Sequence, residues 1–198
     1  MNHSMRNGAA PLLLTFLLGA APATSTALLQ SALDPNPSLT AYTAAAKLDV
    51  TLHAGLPIHK TFNGTMYYNR PTQRLVLNDA SGELSKYKEM RMTLPSKDEV
   101  LHEYALTSTT DDGSATHFVL APKAENSRVK SVTVSVDDGT RLIHDVHWAY
   151  TNGSSLVIAP TFQQQNGYSV PAHEDVAARF PGYSVDAALG LTNFNFSH

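Results

Sequence analysis

From Leu48 onward the chain alternates. Leu48, Val50, Leu52 and Ala54 interleave with Lys47, Asp49, Thr51 and His53. A period of two means a strand with one buried and one wet face. The pattern then repeats down the chain. Gly55-Leu56-Pro57 turns it, and Ile58 to Arg70 predicts a second strand with Phe62, Met66 and Tyr68 on the side of Gly64. Pro71 cannot donate to a ladder, so it ends that strand. Gln73 to Asn78 predicts a third, with Leu75 and Leu77 on one face, before the turn Asp79-Ala80-Ser81-Gly82. Further strands are predicted at Tyr104–Thr110, Thr116–Ala121, Val129–Val136, Arg141–Tyr150, Leu156–Phe162, Tyr168–Pro171 and Tyr183–Phe196. Asp111-Asp112-Gly113, Asp137-Asp138-Gly139 and Asn152-Gly153 punctuate them as hairpin turns.

Helical signals are few. Leu28 to Leu33 is apolar and is broken by Asp34-Pro35-Asn36-Pro37. Ser38 predicts a cap for a helix over Leu39–Ala46. Met90, Met92 and Leu94 alternate, which predicts a strand ending at Pro95. Ser96-Lys97-Asp98-Glu99 then predicts a capped short helix reaching about Tyr104. About nine or ten strands at regular spacing predict a mainly β (α+β) fold, one large antiparallel sheet that is curled or closed.

Composition narrows the function. Hydrophobic residues make up 42% of 198, enough for a core, and only 16% are charged. Lys and Arg number 14 against 17 Asp and Glu, so there is no basic excess for a phosphate backbone and no nucleic-acid partner is expected. The absence of Cys excludes disulfides, Cys-ligated metals, a Cys nucleophile and a lipid anchor on an N-terminal Cys. Arg6 precedes the apolar run Pro11 to Ala20, and Ala21-Pro22-Ala23 follows in small-x-small form. This order predicts a signal peptide over 1–23, with Ser25-Thr26-Ala27 as a later cleavage point. Residues 24–198 are then one exported domain, periplasmic or secreted and not itself lipid-anchored.

The order of short motifs resembles the LolA-like family of periplasmic lipoprotein and lipid carriers. The resemblance rests on Gly64-Thr65-Met66-Tyr67-Tyr68-Asn69-Arg70-Pro71, followed at once by Arg74-Leu75-Val76-Leu77. It continues in the paired hairpins around Ser135–Thr140 and Tyr150–Gly153, and in Asn166-Gly167-Tyr168-Ser169-Val170-Pro171. It covers about 35–196. It implies an unclosed half-barrel with one or two short helices plugging a concave apolar face, the Leu39–Ala46 helix among them. It implies a monomeric, non-enzymatic protein that shelters an acyl lipid, another hydrophobic small molecule or a lipidated protein. Transient contact with a membrane or with envelope transport proteins goes with that role. It also implies that Arg70, matching the terminal Arg of the motif, helps to control the lid. The lid partner is not evident in the sequence, and Lys86–Glu103 matches nothing in the family's pattern.

The expected ligand-lining set is Phe62, Met66, Tyr68, Arg70, Leu75, Leu77, Met90, Met92, Phe118, Leu120, Trp148 and Tyr150. Met suits an adaptable pocket because it is unbranched and polarizable. The same residues would equally fill a solid core, which makes an exported β-sheet interaction module the competing reading. His144-Asp145-Val146-His147 raises a metal, but in a straight strand the two imidazoles face opposite sides. His53, His59, His102, His117 and His173 show no ligand spacing. No nucleophile elbow is present and no Ser-x-x-Lys sits at a helix start, so neither a catalytic residue nor a cofactor is expected. Lys86, Lys88 and Arg91 form a small basic cluster that reads as a solvated face. Asn63, Asn152 and Asn195 fit the glycosylation acceptor pattern and carry little weight in a bacterial setting.

Overall fold

The structure is a computed structural model, and it describes residues 23–70, 72–79, 88–93 and 96–197. The chain begins with α1 (Ala23–Leu33), β1 (Ala41–Ala54), β2 (Leu56–Asn69), β3 (Thr72–Leu77) and β4 (Glu89–Thr93). After α2 (Lys97–Glu103) come β5 (Tyr104–Asp111), β6 (Ala115–Pro122), β7 (Val129–Asp137) and β8 (Ile143–Tyr150). The last three strands are β9 (Ser155–Gln165), β10 (Tyr168–Phe180) and β11 (Tyr183–Ser197). All pair antiparallel in one 11-stranded sheet ordered β4-β3-β2-β1-β11-β10-β9-β8-β7-β6-β5. The order is a meander, broken only where β1 meets β11 in the middle.

Chain length forces this sheet to curl. Laid flat, 11 strands span about 48 Å from first to last. The chain must pass from β4 at one edge to β5 at the other between Thr93 and Tyr104. A seven-residue α2 and the few extended residues around it cover at most about 30 Å. The edges are therefore drawn towards each other and the sheet becomes an unclosed half-barrel. The α2 link is built as the sequence predicts: Ser96 Oγ accepts from Glu99 N at 3.1 Å, and Glu99 Oε2 accepts from Ser96 N at 2.6 Å. Those bonds hold the Glu99 carboxyl below the usual carboxylate range.

The helix expected over Leu39–Ala46 is not formed; Ala41–Ala46 opens β1 instead. Its alanines favour a helix by only a few tenths of a kcal/mol each over ordinary residues. That preference loses to pairing on both edges, with β2 and β11. Tyr42, Ala44 and Ala46 are buried alternately, and the small Ala44 and Ala46 lie opposite Met66 and Gly64. The plugging helix is the one before the prolines: Leu29 of α1 is fully buried. Tyr168–Pro171 also proves to be only the start of a strand. A bulge at Pro171/His173 absorbs the proline, and β10 runs on to Phe180. Among the described residues the sheet has 11 strands, against the nine or ten expected. The N-terminal segment read as a signal lies, up to residue 22, outside the described residues.

Two buried clusters divide the concave face. One joins Leu39, Tyr42, Ala44, Ala46, Met66, Leu75, Leu77, Val170, Leu189 and Leu191. The other joins Leu29 and Ala32 of α1 to Phe118, Leu120, Val132, Val134 and Val136. Val100 and Leu101 of α2 pack against this second cluster.

Candidate ligand-binding trough

Register places the functional side chains. Val50, Ala187, Val176 and Ile158 stand in one rung across β1, β11, β10 and β9. Leu52, Val185, Ala178 and Leu156 form the next. They continue the concave row that includes Leu48 and Leu189, yet all eight are only half-buried. The floor between the two filled clusters is therefore an aliphatic trough. On β8 it runs on to Val146 and Trp148, which lie opposite Ile158 and Leu156. The other face of these strands carries Asp49, Thr51, Asp175 and Asp186 beside Val157, Ala159, Ala177 and Ala188, around a shallow depression.

Glu174 is the charged exception. It lies opposite Leu189 and Pro160, one rung from Val176, on the trough side of the first cluster. Burial raises its carboxyl above the ordinary range, and His173 pulls the other way. Tyr42 feels it: burial first, then the Glu174 charge, pushes its phenol far up.

Aromatic rings fill the concave face at one end of the trough, and an open pocket of about 520 Å³ lies at its rim beside Thr43, Tyr67, Tyr68 and Arg74. Tyr42 stacks on Tyr68 at 5.0 Å between centroids, leans on Phe194 at 5.4 Å, and Tyr168 stacks on Phe196 at 5.6 Å. The segment between α1 and β1 straps over this end. Arg70 donates through Nη2 to Asp34 Oδ1 at 2.6 Å, and through Nη1 to the carbonyls of Asn36 and Pro37 at 3.1 and 2.9 Å. Asn36 is tied in turn to β10, donating to Ser169 O at 2.6 Å and accepting from Ser169 N at 2.9 Å. Leu39, at the strap's end, enters the first cluster. Arg70 thus holds the strap, and the partner missing from the sequence reading is Asp34 with two carbonyls. At the opposite end an open pocket of about 450 Å³ is bordered by Arg128, Tyr150, Thr151, Asn152, Ser154 and Phe180.

The residues expected to line a ligand site fall into separate places. Met66, Leu75 and Leu77 are buried in the first cluster, with Phe62, Tyr68 and Met90 packed against it. Phe118 and Leu120 are buried under α1, with Trp148 beside them. Tyr150 borders the open end. The Met92 backbone pairs with Gln73, and its side chain lies outside the described residues, as does that of Arg91. Lys86 is also outside them, and Lys88 is exposed. The eight-residue trough floor was missed by sequence reasoning. The only signal for it was alternation, which these residues share with every other strand.

The histidine pair does not gather a metal site. His144 sits in a bulge between β7 and β8, and its Nδ1 lies 3.0 Å from Asp145. His147 is exposed. Among the described residues no three of His, Asp and Glu cluster in a way that could hold a metal.

Solved structures share this architecture. An outer membrane lipoprotein-sorting protein domain from Vibrio parahaemolyticus superposes with a TM-score of 0.55 at 12% identity, covering 87% of this chain and 91% of its own. A LolA superfamily protein from Nitrosomonas europaea gives 0.51 at 9% identity, over 90% and 95%. The chain has a LolA-like fold. A DUF1329 family protein from Desulfovibrio piger shares the fold at a TM-score of 0.53 and 12% identity, over 90% of this chain and 94% of its own. No protein-family model matches the chain, and no curated protein matches it by sequence.

Proposed function

We propose that this LolA-like protein is an exported, non-enzymatic carrier or sensor that shelters a hydrophobic ligand, an acyl lipid or the acyl chains of a lipidated protein. The observation that carries the reading is the trough: two rungs of aliphatic side chains left half-exposed between two filled clusters. Each methylene laid on such a floor gains about 0.8 kcal/mol on leaving water, so a modest acyl contact is enough. The lipoprotein-sorting description of the Vibrio relative supports the same class of ligand. Residues 1–23 serve as the signal. Cleavage at Ala23 leaves α1 essentially whole, whereas cleavage at Ala27 removes its first turn.

The division of labour follows from the geometry. The trough takes the chain, and the filled clusters hold the sheet on either side. Of the lining set, Trp148 and Tyr150 at the trough's border, with Phe62 and Tyr68 at its aromatic end, contact ligand. Met66, Leu75, Leu77, Phe118 and Leu120 shape the walls from within the core. Arg70 keeps the strap down, and α1 is the element that lifts. Ile158→Glu or Val176→Glu puts a charge on the floor at a position that keeps access to water. Either variant should fold and lose co-purifying lipid, read by native mass spectrometry. Lipid retained by both overturns the trough assignment. A bare wild-type polypeptide favours the competing solid-core interaction module.

A further inference from the structure

Among the described residues, four of the five large exposed apolar side chains stand at one end of the half-barrel, Tyr67 being the exception. Leu56 is 87% exposed and Ile58 53%, at the β1–β2 tip; Phe180 is 39% and Tyr183 44%, at the β10–β11 tip. The two tips are neighbours, because His53 pairs with Pro57 on one side and Ser184 on the other. Phe180 and Tyr183 stack at 4.7 Å and form a firm aromatic wedge. Soluble surfaces scatter single apolar residues; a contiguous patch on projecting tips marks an interaction site.

Charge is sorted along the same axis. The hairpin tips at this end, and the strand ends beside them, carry Lys123, Arg128, Lys130 and Arg179, with Glu103, Glu125 and Asp186 as acids, and Asp186 pairs with Arg179 at 2.6 Å. The turns and strap at the other end carry Asp34, Asp111, Asp112, Asp137 and Asp138, with Arg70 and Arg141. A chain of net charge −3 therefore keeps a small excess of cations at the end where four of its five exposed large apolar side chains stand. Aromatic and aliphatic tips flanked by cations suit the boundary between headgroups and acyl chains of an anionic bilayer.

We infer that this end docks on an anionic lipid surface, with Leu56, Ile58, Phe180 and Tyr183 entering the interface. The trough favours a bilayer over a protein partner as the occupant. Its second rung, Leu52-Val185-Ala178-Leu156, lies just inside these tips, whereas the strap and the aromatic stack fill the far end. A molecule leaving the trough at the open end passes along apolar side chains into the membrane without crossing water.

Flotation of the purified protein with vesicles tests this. Phosphatidylcholine containing a minority of phosphatidylglycerol is compared with phosphatidylcholine alone, for the wild type and for L56S/F180S. Leu56 is exposed and Phe180 half-exposed in its stack on Tyr183, so far-UV circular dichroism should not change and the melting temperature should fall by no more than a few degrees. The wild type should float with the mixed vesicles, and L56S/F180S should partition at least about tenfold more weakly. Equal flotation of the two proteins, or none by the wild type, overturns the docking surface. Flotation indifferent to phosphatidylglycerol overturns its anionic character. A concentration-dependent dimer that L56S/F180S abolishes, without flotation, overturns the membrane and gives the patch to a second copy. Bound lipid is measured separately by native mass spectrometry, so vesicle docking and ligand sheltering can fail independently.

Discussion

Replacing Leu29 with Ala tests whether α1 is a docked plug. Leu29 is fully buried, and with Ala32 it is the helix's contribution to the second core cluster. Removing its isopropyl end deletes contacts within the cluster of Phe118, Leu120 and the valines of β7 and leaves a void. Such Leu→Ala changes cost about 2–5 kcal/mol, depending on how far the site collapses. An 11-residue helix has almost no stability of its own in water. Most of the cost should therefore appear as local detachment of α1 rather than loss of the sheet, which keeps ten antiparallel pairings. Hydrogen exchange followed by mass spectrometry separates the two. Amides of Ala23–Leu33 should exchange on the order of thirtyfold or more faster, at the low end of that range, while β1 and β11 change little. Binding of a hydrophobic dye should rise as Val132, Val134 and Val136 open to water. Leu29→Met, which keeps the volume, should cost less than about 1.5 kcal/mol. Wild-type exchange in α1 of the Ala variant would refute the docking of the helix. Uniform acceleration across the sheet would refute its independence.

Other positions give sharper local tests. A methyl group on Gly64 would sit 2.2 Å from Val76 O, a backbone atom that cannot rotate away, so Gly64→Ala should lower the melting temperature by several degrees and loosen β3. Arg70→Ala and Asp34→Ala should each free the strap, and the double variant should show less than the sum, since they remove one latch; equal, additive effects on lipid retention would contradict that latch. Glu174 has its carboxyl raised by burial, so ionisation is harder in the folded state and stability falls as pH rises from the unfolded value near about 4.3 through the raised one. Glu174→Gln should therefore be more stable than wild type at pH 7, with the gain vanishing in acid, measured by melting across pH. Asp112 shows the opposite sign. Bonds from His117, Ser114 and Ala115 hold its carboxyl well below the usual range, so its contribution is present at neutral pH and is lost as pH falls, and Asp112→Asn should flatten the acid side of the stability curve.

Much of the sheet was legible because its rules are local. Alternation marked Val132, Val134 and Val136, and all three are buried. Asp-Asp-Gly and Asn-Gly marked turns that do form, with Gly113 and Gly153 at positive φ. Ser96 and Glu99, three apart, marked the cap of α2. The failures were non-local. Ala41–Ala46 reads as helix by itself, and only β2 and β11, far away in sequence, make it a strand. Arg70 finds Asp34 across 36 positions. The trough was invisible for the same reason. Val50 and Val176 look like any strand valine, and what distinguishes them is that neither α1 nor the aromatic stack covers their rungs.

The central claim is that the half-exposed floor of the trough takes an acyl chain. The most direct measurement is native mass spectrometry of the protein purified from a bacterial periplasm, compared with Val176→Glu prepared identically. The wild type should carry extra mass that dissociates as fatty acid, phospholipid or lipopeptide, and a folded Val176→Glu should lose it. A wild type carrying no lipid, or a variant carrying as much, would contradict it.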